Sequence, residues 1–112
     1  MSDYDQEESW TEKVDLVSHN SFGKVDEESQ VEVSFTIAAN YQSSDDIKSR
    51  GWFEMSGPDT ERWYSSGGLW FKRNELIDFD GSYALPREFI HKLHEWGFDV
   101  EDMARSHKYV LE

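Results

Sequence analysis

Glu88, His91, His94 and Glu95 form the densest group of chemically capable side chains in the sequence. Spacings of three and four residues put Glu88 and Glu95 beside His91 on one face of a helix. Glu-x-x-His serves metal sites in helical bundles, but such sites take further ligands from facing helices. Only one strong helix is readable here, and the His-Glu-x-x-His zinc signature is absent. The group reads as a solvated helix face, so no metal and no other cofactor is expected. A metal-dependent enzyme using His91 and His94 remains one alternative.

Asp78-Phe79-Asp80-Gly81 begins like a calcium loop. An EF-hand needs oxygen ligands at its odd early positions, Gly at the sixth and Glu at the twelfth. Counted from Asp78, Gly81 is fourth and Phe89 is twelfth, so the match fails. The segment reads as a turn. Its two aspartates flank an aromatic at a strand end, where they can meet a partner's Arg or Lys. Asp45-Asp46, next to Ser43-Ser44, suits either a flexible, solvated loop or a second contact of this kind. Ser65-Ser66-Gly67-Gly68 lacks the Lys-Ser/Thr ending of a phosphate loop, and no Gly-x-Ser-x-Gly elbow occurs. Ser, His and Asp show no triad spacing, so an enzyme is not expected.

Charge narrows the partners. The 112 residues carry 24 acids against 11 bases, a formal net of −13. Such a surface repels phosphates and anionic lipids. Direct binding to nucleic acid or membrane is therefore not expected, and a basic protein surface is. Residues 1–28 hold nine of the acids and two of the bases. Aromatics make up 15% of the chain, five of them Trp, which sets it apart from an acidic disordered tail. Trp52, Trp63 and Trp70 sit next to Phe53, Tyr64 and Phe71. Neighbours on a strand point to opposite faces, so one member of each pair can enter the core and the other must face a covering element, water or a partner. There are no cysteines, the acidic start does not resemble a signal peptide, and no apolar run reaches membrane-spanning length. A soluble cytoplasmic protein is the expectation.

The elements that must position these groups follow from periodicity. Val31, Val33, Phe35, Ile37 and Ala39 alternate with Glu32, Ser34, Thr36 and Ala38, which predicts a half-buried antiparallel strand. A short strand is expected over 12–18, and a loop or short helix over 40–50. Gly51–Met55 and Glu61–Ser65 flank Ser56-Gly57-Pro58-Asp59-Thr60 as one hairpin. Leu69–Phe71 and Leu76–Phe79 flank 72–75 as another. Pro86 opens a helix with Phe89, Ile90, Leu93 and Trp96 on one stripe, closed by Gly97. Asp99 is placed to cap a second short helix reaching about Arg105. The prediction is an α+β domain over 10–112: an antiparallel sheet of four to five strands, the first helix packed on one face, and a short second helix. Residues 1–9 form an acidic flexible N-terminus.

The stretch Gly67-Gly68-Leu69-Trp70-Phe71, Leu76-Ile77-Asp78-Phe79-Asp80-Gly81 and Leu85-Pro86-Arg87-Glu88 resembles small accessory proteins of bacteriophages and prophages. In size and acidity the chain is similar to phage inhibitors of host defence, including anti-CRISPR and anti-restriction DNA mimics. Those proteins share a profile rather than residues, so no functional residue carries over. The resemblance implies a non-enzymatic inhibitor that blocks a basic, nucleic-acid-binding surface of a host protein. Asp45, Asp46, Asp78, Asp80, Trp52, Trp63 and Trp70 are the candidate contacts. A small assembly protein that oligomerises through exposed aromatics is the other alternative.

Overall fold

Val33, Phe35, Ile37 and Ala39 are fully buried or within 1% of it, while Glu32 before them and Ser34 between them are exposed. That alternation seats the central part of a five-stranded antiparallel sheet. A computed structural model of the chain describes residues 4–19, 25–58, 64–81 and 84–111. Strands β1 (Gln6–His19), β2 (Val25–Ala39), β3 (Lys48–Ser56), β4 (Ser65–Lys72) and β5 (Glu75–Phe79) lie side by side in chain order. Helices α1 (Arg87–Glu95) and α2 (Glu101–His107) follow. The chain is thus a mixed α+β fold dominated by its sheet.

Several boundaries differ from the sequence reading, among them the start of β2, which is Val25 instead of Val31. Strand β1 starts at Gln6, so residues 6–9, expected in the loose terminus, belong to the sheet. Gln6 pairs with Ala39 and Ser9 with Thr36, whose hydroxyls lie 2.9 Å apart. Backbone pairing with β2 outweighs the local excess of acid. Second, β4 is a single strand from Ser65 through the Leu69-Trp70-Phe71 triplet, because its glycines continue the strand instead of ending it. Third, 40–47 is loop without helix, and β3 already begins at Lys48. Fourth, Val100 rather than Asp99 occupies the N-cap position of α2. Asp99 still caps from one residue upstream, since its carboxylate accepts the Glu101 N–H at 3.1 Å.

The buried cluster draws on β2 to β5 and both helices. Phe89 of α1 meets Phe35 and Phe53 with ring centroids 5.5 and 5.3 Å apart. Trp10 of β1 stacks on Phe35 at 5.4 Å. Helix α1 ends in a Schellman motif: the Phe98 N–H reaches the Leu93 carbonyl and the Gly97 N–H reaches that of His94, both at 3.0 Å. Gly97 has φ +96°, a conformation that favours glycine. The turn delivers Phe98 to the rings of Tyr41 and Phe71, at 4.6 and 5.0 Å. His107 then ties α2 to the chain ahead of α1. Its Nε2 accepts the Leu85 N–H at 3.1 Å, and its Nδ1 lies 3.0 Å from the Met103 carbonyl.

Strand β3 pairs with β2 only from Ser34 to Ala39, whereas β1 and β2 pair on to His19 and Val25. Among the described residues the far part of that hairpin has no third strand, and the molecule extends 52 × 32 × 24 Å.

Candidate binding face

Residues directly opposite in a sheet point the same way, so register identifies the face turned away from the core. Ala38 of β2, Trp52 of β3 and Gly68 of β4 form one such row. Thr36, Glu54 and Ser66 form the next. Trp70 pairs with Ser49 on one side and Asp78 on the other. Trp52 and Trp70 are half-buried, while Ser49, Glu54, Lys72, Asp78 and Asp80 are exposed. Two indoles thus lie among carboxylates on an otherwise small and polar surface.

The glycines explain how Asp80 gets there. Asp80 follows β5, and its N–H bonds the Gly68 carbonyl at 2.9 Å. A Cβ on Gly67 would run into the Asp80 carbonyl oxygen. A Cβ on Gly68 would stand 3.2 Å from Asp80 Oδ2 and 3.1 Å from Ser49 Oγ. Gly81, with φ +125°, lets the chain leave past Phe53. Seated this way, Asp80 Oδ2 accepts the Trp70 Nε1–H at 3.2 Å. That bond fixes one indole beside the carboxylate. Asp78, two residues earlier on the edge strand, accepts the Phe79 N–H through Oδ1 at 2.8 Å.

The structure brings together Trp52, Trp70, Asp78 and Asp80. Asp45 and Asp46 lie elsewhere, in the loop before β3, beside the Arg73-Asn74 turn at the opposite end of β5. Asp45 is paired with Arg73 through both guanidinium and carboxylate edges. That hydrogen-bonded pairing holds the Asp45 carboxyl below its usual range. A carboxylate already engaged by a neighbouring guanidinium is a poorer contact for a partner's cation. Asp46 approaches Lys48 at 4.0 Å, with its N–H on Ser44 Oγ at 3.1 Å. Trp63 lies outside the described residues.

On α1, His91, His94 and Glu95 are exposed. The helix's own chemistry is instead centred on Lys92. Its ammonium pairs with Glu8 of β1, lies 3.1 Å from Glu95, and sits 5.1 Å from the Trp10 ring centroid. Glu8, Trp10, Glu12 and His91 border a cleft of about 520 Å³ over this cluster. Among the described residues, no three His, Asp or Glu side chains are grouped to hold a metal ion. No helix among them is long and apolar enough to cross a membrane.

Sequence reasoning missed Ser49, Glu54 and Gly68 as members of the Trp52–Trp70 face. The Gly67-Gly68 pair was the available signal, because adjacent glycines in a strand mark close approach of another backbone. Compared with known proteins, the chain matches no family model, no curated protein and no solved structure.

Proposed function

We propose that this chain is a non-enzymatic binding module that seats a basic surface of another protein on the open face of its sheet, with α1 packed over the opposite face. The observation that carries this reading is the Trp70–Asp80 pair, set beside Trp52, Glu54 and Asp78 on the face turned away from the main core cluster. Aromatic rings supply contact area at little conformational cost, and the acids supply long-range attraction to basic patches. A rigid sheet holds these carboxylates with less entropy loss than a flexible tail does.

A basic protein surface of this kind commonly serves nucleic acid. A partner's Lys and Arg side chains cannot neutralise phosphates and these carboxylates at once. The module is therefore an inhibitor by competition, in the manner of the phage inhibitors it resembles in size and acidity. The test is a competition assay on a partner captured from lysate at low salt. Adding the module is expected to displace labelled DNA or RNA from that partner in a dose-dependent way. Simultaneous binding of both at saturation contradicts the reading. Concentration-dependent self-association through Trp52 and Trp70, seen by light scattering, would favour an assembly protein instead.

A further inference from the structure

Resting on that reading, we propose that the Trp70–Asp80 corner is a slot selective for an arginine side chain of the partner, in preference to lysine. Three observations converge. The Trp70 indole is held in one orientation by its bond to Asp80 Oδ2 at 3.2 Å, so its ring face is preorganised. Asp78, directly across from Trp70 in the register, is exposed, as is Asp80. The two aspartates are two residues apart, Asp78 near the end of the edge strand β5 and Asp80 just after it. Gly68, which shares this face, adds no side chain between Trp52 and Trp70.

A guanidinium fits this arrangement in a way an ammonium does not. It is planar and weakly hydrated, and stacks flat on an indole while its rim of N–H donors points outward. Asp78 is the register partner of Trp70 on β5, and Asp80 sits at the Nε1 edge of the Trp70 ring. Each has already used one oxygen inside the protein, on the Phe79 N–H and the Trp70 indole N–H respectively. The remaining oxygens can accept from opposite edges of one stacked guanidinium. An ammonium is a compact, strongly hydrated charge, and it cannot cover the ring and reach two separated carboxylates together. Charge complementarity commits the occupant to a basic protein: Glu54, Asp78 and Asp80 outnumber Lys72 among the exposed charges around the two indoles.

The experiment titrates the full chain with matched oligoarginine and oligolysine peptides and follows the indole N–H resonances by NMR. Trp70→Phe assigns its own signal and removes the N–H anchor while keeping a ring in place. Asp80→Asn keeps the shape and removes the charge. The oligoarginine peptide is expected to shift the Trp70 resonance and to bind about tenfold tighter than oligolysine, the scale of one bidentate charged contact. Both variants should bring the two affinities to within about twofold of each other, whereas Asp45→Asn, at the far end of β5, should leave the preference intact. Equal affinity of the two peptides for the unaltered chain, salt-sensitive and indifferent to Trp70→Phe and Asp80→Asn, overturns the slot and leaves the acidic-face reading standing. Failure of both peptides to bind even at low salt overturns both.

Discussion

At the scale of single residues, Gly67 and Gly68 have different jobs, and substitution separates them. A methyl group on Gly67 meets a backbone carbonyl, which cannot step aside without breaking the Asp80–Gly68 hydrogen bond. Gly67→Ala is therefore expected to cost about 1–3 kcal/mol, the range of overpacked sites, measured by chemical denaturation. Gly68→Ala presses only on the Ser49 hydroxyl and the Asp80 carboxylate, which can rotate away. It should cost less than half as much and show its effect as a displaced Asp80 and a shifted Trp70 indole resonance. Equal losses would mean that Asp80 does not lie against Gly67 and Gly68 as described. Lys92 and Tyr109 give a second residue-scale test. The hydrogen bond to Glu8 raises the Lys92 ammonium above its ordinary value, and burial raises the Tyr109 phenol. Both groups hold their proton more tightly folded than unfolded. Their stabilisation is complete below the unfolded values of about 10.4 and 10, and is lost as pH rises through the raised ones. Thermal stability should therefore fall above about pH 10, and the combined Lys92→Met and Tyr109→Phe variant should flatten that fall. An unchanged slope would contradict these proton linkages.

Among the elements, β1 is where local pattern and outcome part. The alternation in β2 and the stripe of α1 were legible because burial repeats at the period of the element. Val33, Phe35 and Ile37 are buried, and so are Phe89, Ile90 and Leu93. The start of β1 carries no such signal: Gln6, Glu7, Glu8 and Ser9 are polar, and they are strand because β2 offers them a partner. The orientation of Trp52 and Trp70 was equally hidden. Pairing with Phe53 and Phe71 says that one of each pair faces out. Register and the Trp70–Asp80 bond show that the tryptophans do. Deleting residues 1–9 is thus expected to lower the melting temperature by more than about 5 °C, on the order of 1 kcal/mol for a chain of this size. It removes four residues of strand and the Glu8 partner of Lys92. An unchanged melting temperature would return this segment to the status of a tail. Leu93→Ala, at 0% exposure, should cost about 2–5 kcal/mol. Glu32→Ala, exposed on the other series of β2, should cost less than about 0.5.

For the molecule as a whole, the net charge of −13 was plain from composition, but its distribution over surfaces was not. Folding splits the acids, candidates and others alike. Asp45 is spent on Arg73 and Glu8 on Lys92, while Asp78 and Asp80 remain exposed beside a fixed indole. An acidic protein of this kind should find its partner by electrostatic steering and hold it through the aromatic contact. These two contributions separate kinetically. Steering appears in the association rate and is screened over roughly 8 Å at physiological salt, whereas the ring contact appears in the dissociation rate. The most direct measurement is the pair of rate constants for the captured partner, taken at low and high salt, for the unaltered chain and for Asp78→Lys with Asp80→Lys. The expected result is a slower association on raising the salt and on reversing the two charges, with a smaller change in dissociation. Rates that ignore both salt and charge reversal would contradict the claim that this acidic face is where the partner docks.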